Sequence, residues 1–135
     1  MRAATLAGTL VIAALAAGCG SDSTTPTTPS TSGTMSETWS GVVAPGGQTS
    51  RSFTVNSSGT ITVTLTSAGT TFGLGVGLPR VTGGGCRLGV AVNASSSTTP
   101  QISTQAEAGQ YCVEVYDLGT ITGDPVGFAL KIDHP

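Results

Sequence analysis

Ala108-Gly109-Gln110-Tyr111-Cys112-Val113-Glu114-Val115-Tyr116-Asp117 is the densest run of β-branched, aromatic and cysteine residues in this 135-residue chain. A period of two puts Tyr111, Val113 and Val115 on one face and Cys112, Glu114 and Tyr116 on the other. Gly109 supplies a bend ahead of the run, and Leu118-Gly119 ends it. The pattern predicts a central strand of an all-β domain, with the valine face turned to the core.

The flanks repeat this grammar. After the loop 117–125, Phe128, Leu130 and Ile132 share the inward face of a last strand. Before the run, residues 101–106 hold one large apolar residue, Ile102, and predict an edge strand. Residues 93–100 form a polar loop, and Leu88, Val90 and Val92 predict one inward face of the strand ahead of it. Gly83-Gly84-Gly85 breaks the chain before Cys86. Residues 72–78 alternate Phe72, Leu74, Val76 and Leu78 with Gly73, Gly75 and Gly77, a glycine face that a neighbouring aromatic is expected to cover. No helix follows, so these glycines do not make a nucleotide-binding loop. Ile61, Val63 and Leu65 face the core in residues 60–66, opposite a water-facing row of threonines. Phe53 and Val55 mark one more strand, and Trp39, Gly41 and Val43 another, joined by the Pro45-Gly46-Gly47 turn. About eight strands, with turns every eight to twelve residues and no helix, predict a single antiparallel β-sandwich over residues 37–135.

Composition narrows the function. Charged residues make up 9% of the chain, against roughly 25% in an average soluble protein. Five basic and seven acidic side chains give a net charge of −2, and without Arg2 the remainder stands near −3. No basic cluster exists to neutralise phosphates, so nucleic acid is not an expected partner.

Residues 1–18 read as an export leader, with Arg2 at its start and an apolar run over residues 6–17 too short to span a bilayer comfortably. Leu15-Ala16-Ala17-Gly18-Cys19 resembles the bacterial lipobox, with Ala16 where that motif prefers a large aliphatic residue. The resemblance implies cleavage before Cys19 and lipidation of its thiol. Several acyl chains hold a protein firmly on a membrane where one does not. Ten of the fourteen residues 21–34 are Ser or Thr, interrupted by Pro26 and Pro29. Such a stretch has nothing apolar to bury, so residues 19–36 are expected to serve as a lipidated tether. Gly20 in second place of the mature chain resembles lipoproteins sent to an outer membrane or cell surface.

Phe53-Thr54-Val55, Gly59-Thr60-Ile61-Thr62-Val63, Ala108-Gly109-Gln110-Tyr111 and Phe128-Ala129-Leu130-Lys131-Ile132 together resemble the bacterial pre-peptidase C-terminal domain. The resemblance covers about residues 37–133 and implies a jelly-roll-like sandwich of the kind that accompanies secreted enzymes as an accessory or carbohydrate-binding module. The chain departs from that pattern in carrying Cys86 and Cys112.

An even pair of cysteines in an exported domain predicts a Cys86–Cys112 disulfide. Period-two counting turns Cys112 away from the core, so the bridge is expected on the outer side of a sheet, with Cys86 in the glycine bend before its strand begins. Asp117 and Asp124 flank residues 118–123, with Glu114 close by; two carboxylates and backbone carbonyls make a candidate weak calcium site. The alternative is that both acids cap turns. His134, the only histidine, stands next to the last residue, where fraying is expected. Glu107, Glu114 and Asp117 carry no mark of a catalytic pair. The expected protein is therefore a non-enzymatic module, anchored in the cell envelope through lipid, whose partner is an envelope protein or a polysaccharide. Two exposed aromatics on one flat face would favour sugar binding, and Tyr116 is the one aromatic not assigned to a core face.

Overall fold

A computed structural model describes residues 33–135. The expected leader, Cys19 and most of the expected Ser/Thr-rich tether lie outside the described residues. The domain holds eight strands: β1 (Met35–Val43), β2 (Gln48–Val55), β3 (Gly59–Ala68), β4 (Phe72–Pro79), β5 (Cys86–Ala94), β6 (Ile102–Ala106), β7 (Gly109–Asp117) and β8 (Val126–His134). They form two four-stranded antiparallel sheets, ordered β1-β8-β3-β6 and β2-β7-β4-β5. The fold is a β-sandwich with jelly-roll strand order, and β4–β5 is its one hairpin within a sheet. Every other connection crosses between sheets.

The inward faces follow the alternation of the sequence. Ile61, Val63, Leu65, Leu130 and Ile132 from one sheet meet Phe53, Val55, Leu74, Val113 and Val115 from the other in a single core. Phe128 joins the layers edge-on to Trp39, at 4.9 Å between ring centroids, and to Phe72 at 6.1 Å. Gly41 makes room for that ring: a Cβ there would stand 3.0 Å from it. β6 is an edge strand, as its sparse apolar content predicts.

Two departures from simple alternation shape the surroundings of the cysteines. The first is a bulge: Val76 pairs with Val90, but Gly77 pairs with Leu88, leaving Gly89 as the extra residue. One inserted residue reverses every side chain beyond it. Leu88 therefore leaves the inward face of Val90 and Val92 and lies over Gly75, 2.7 Å from where its Cβ would be. The glycine face of β4 is thus covered by Tyr116 at Gly73, by Leu88 at Gly75 and by the Arg87 backbone at Gly77. Only the first cover is aromatic.

The second concerns the outer face of β7. Cys112 and Glu114 point away from the core yet are 1% and 5% exposed. The start of β5 and the glycine loop before it fold back over them. Cys86 is the first residue of β5 rather than part of the bend, and the bulge, not the bend, turns it outward.

The registers also sort the loops by end. Met35 pairs with His134, Val55 with Gly109, Gly59 with Ala106 and Pro79 with Cys86. Both ends of the domain, the β4–β5 loop and the β2–β3 and β6–β7 turns therefore share one end of the sandwich. Asn56 N–H donates to the Pro135 carbonyl at 3.0 Å and ties the two sheets together there.

Candidate functional site

Three groupings of polar side chains stand out, and each traces to the strands that carry it. The first surrounds the disulfide. β4 lies between β5 and β7, and strands two places apart in a sheet are separated by roughly 9.5 Å. The Cα atoms of Cys86 and Cys112 are nevertheless 5.9 Å apart, inside the range a disulfide spans. That approach exists because Gly77, paired with Cys112, has no side chain: a Cβ there would overlap the Arg87 carbonyl. β5 thus crosses over β4 at its start, and the bridge closes on the outer side of one sheet, as the parity of Cys112 predicts. Glu114, two residues further along β7, accepts the Cys86 N–H at 2.9 Å. Its burial beside Gly85 makes it a structural acceptor for the folded-back chain.

The second grouping lies at the edge shared by β1 and β2. Glu37 Oε2 accepts from Arg51 Nη2 at 3.3 Å, while Glu37 Oε1 is 3.2 Å from His134 Nε2. His134 is wholly buried and packs on Phe53 with ring centroids 5.1 Å apart. The expected fraying does not occur, because β1 pairs with β8 through its last residue. An acid beside a histidine is half of a catalytic arrangement. Here the ring has no solvent access and the carboxylate is shared with a cation, which suits a latch between sheets better than general base work.

The third grouping is at the opposite end. Asp117 Oδ2 accepts the Gly46 N–H at 2.8 Å, and Oδ1 accepts those of Gly119, Thr120 and Ile121 at 2.9, 2.9 and 3.1 Å. The Gly46 N–H is the largest cause holding this carboxyl below its ordinary value of about 3.8; loss of water works against it, and the other three N–H groups add to the lowering. Four N–H donors aimed at one carboxylate present hydrogen to the site, whereas calcium requires a cage of oxygens. Asp124 is exposed in the same loop. The residues around Asp117 do not fit a calcium ion; they fit a cap for the β7–β8 loop and the β1–β2 turn.

A cleft of about 640 Å³ opens where the edge strands β5 and β6 approach each other. Val76, Leu78 and Val90 give it an apolar wall, and Arg87, Gln105 and Tyr111 add polar groups. No carboxylate, histidine or cysteine lines it. Compared with models of known protein families and with curated proteins, the chain matches none. The resemblance to the pre-peptidase C-terminal domain thus rests on the quoted residues alone.

Sequence reasoning foresaw the disulfide pair and its outward side. It missed the Glu37–His134–Arg51 latch, whose members are widely separated in sequence. Their meeting depends on strand order, for which no local signal exists. All six aromatics are buried or half-buried, Tyr116 included, because it fills the space above Gly73.

Proposed function

We propose that this protein is a lipid-anchored, non-catalytic β-sandwich of the bacterial cell envelope, serving as an interaction or structural module. The observation that carries this reading is the position of the domain's two ends. Met35 and Pro135 leave from one end of the sandwich, so a tether from Cys19 would reach the domain there and leave the other end facing outward. That far end is knit by Asp117, by hydroxyl bonds between Thr70 and Thr120 and between Thr71 and Ser95, and by Ser96 bonding Ala68. A surface held this firmly suits recognition by preformed shape.

Burial of His134 and engagement of Asp117 by backbone donors favour a module over a hydrolase. Half-buried aromatics and exposed large hydrophobics that are all aliphatic favour a protein partner over a sugar stacked on rings. Metabolic labelling with a radioactive fatty acid tests the anchor: label is expected on the wild type and not on Cys19→Ser. Label persisting on that variant would refute lipidation at Cys19. A glycan-array screen of the purified domain tests the partner class, and specific sugar binding there would replace the protein-partner reading.

A further inference from the structure

Among the described residues, the β4–β5 loop, residues 80–85, is the one place where exposed apolar side chains meet cations lacking a carboxylate partner. Val81 is fully exposed at its tip, and Leu78 is 52% exposed at its base. Of the four cations in the described residues, Arg51 is bound to Glu37 and Lys131 to Asp133. Arg80 and Arg87, both exposed, have no carboxylate partner among the described residues. Arg80 uses only Nε on the protein, donating to the Cys86 carbonyl at 3.1 Å, which holds its guanidinium beside the loop. Gly83, Gly84 and Gly85 all take positive φ, between 67° and 83°, and so fix a turn that other residues rarely adopt. The Cys86–Cys112 bridge anchors the base of this loop to β7.

We infer that this loop docks on an anionic phospholipid surface, with Val81 and Leu78 entering the interface and Arg80 and Arg87 meeting lipid phosphates. Two observations select this partner. Guanidinium groups match phosphate oxygens in geometry as well as charge. The loop also stands at the same end of the sandwich as Met35, so on the anchoring reading proposed above, on which this inference rests, it faces the membrane. Residues 21–34 reach at most about 45 Å, which keeps the tip at high effective concentration near the bilayer. Glu107, on the β6–β7 turn at that end, opposes the attraction. Glu37 and Asp133, near that end, are paired with Arg51 and Lys131, whereas Asp117 and Asp124 at the far end have no cation partner among the described residues, so an anionic surface repels the far end and favours this orientation.

The test uses the leaderless chain from Cys19 to Pro135, coupled through the Cys19 thiol to a maleimide lipid. The carrier vesicles are either pure phosphatidylcholine or an equal mixture with phosphatidylglycerol. Because coupling is chemical, the result does not depend on whether cells acylate Cys19, which the fatty-acid labelling answers separately. A Val81→Trp reporter is expected to shift its emission to the blue and be quenched by spin-labelled lipid on the mixed vesicles, and to do so far less on the neutral ones. Adding Arg80→Gln and Arg87→Gln should lower the docked fraction ratio by about fivefold per arginine. Identical reporter emission on both vesicles, or full docking by the double arginine variant, would overturn the inference. So would a shift that grows with protein density on neutral vesicles, which would mark a second copy of the chain as the partner.

Discussion

Gly77 shows how one absent methyl group organises a larger arrangement. Its missing side chain is the space through which β5 crosses toward β7, and the neighbour that a Cβ would strike is backbone, which cannot rotate aside. Gly77→Ala is therefore expected to cost roughly 2–3 kcal/mol and to lower the thermal midpoint by about 10 °C or more. Gly89 gives the contrast. Its nearest neighbour would be the Val76 carbonyl at 3.8 Å, an ordinary contact. Gly89→Ala should therefore leave the midpoint within about 3 °C of wild type. Equal losses at the two positions would refute the crossing as described. Asp117 contributes to the acid response. Backbone N–H groups, Gly46 first, hold its carboxyl below the ordinary value. In Asp133 burial pushes the carboxyl up, but hydrogen bonds from Ser36, Lys131 and Thr62 and the Lys131 charge outweigh it. A carboxyl whose pKa is depressed on folding contributes stability that is complete above the unfolded value and lost as pH falls through the folded one. The thermal midpoint should thus fall below about pH 4. Asp117→Asn should lower it at neutral pH and flatten the acid decline; an unchanged acid slope would show that Asp117 is not a source.

Between strands, the disulfide is the main covalent constraint on the β4–β5 hairpin. Its cysteines are 26 residues apart, which on the chain-entropy estimate corresponds to about 3–4 kcal/mol. Cys86→Ala is expected to lower the midpoint by on the order of 15 °C. Cys112→Ala should cost about the same, and the double variant little more than either alone, because one bond is lost in every case. Additive losses would mean that each sulfur is held by separate packing. The strands themselves were legible in the sequence, because alternation of Ile61, Val63 and Leu65, or of Phe128, Leu130 and Ile132, is written locally. So was the outward parity of Cys112. The inversion of Leu88 was not, since Gly89 looks like any other strand glycine until the pairing of β4 with β5 exposes the extra residue. The burial of Glu114 and Cys112 was hidden for the same reason: what covers them comes from a chain segment folding back across another strand. Likewise, His134 beside the chain end gives no sign that Glu37, 97 residues away, will bind it.

For the whole molecule, strand order places both domain ends, the glycine hairpin and its two arginines on one side and the hydroxyl-knit loops on the other. On the anchoring proposed above, the tether need only be soluble and long enough. Deleting residues 21–32 from a leaderless chain is expected to leave the thermal midpoint within about 2 °C, since their composition offers no apolar surface to bury. A larger drop would mean that those residues contribute to the fold. The membrane attachment through Cys19 proposed above would give this arrangement its functional sense, and one measurement bears on it most directly. The protein is extracted from the cell envelope and its intact mass recorded without reducing agent. The expected mass is that of residues 19–135 with acyl chains on Cys19 and two hydrogens fewer for the Cys86–Cys112 bridge. A mass matching an unacylated chain, or one that retains the leader, would contradict it.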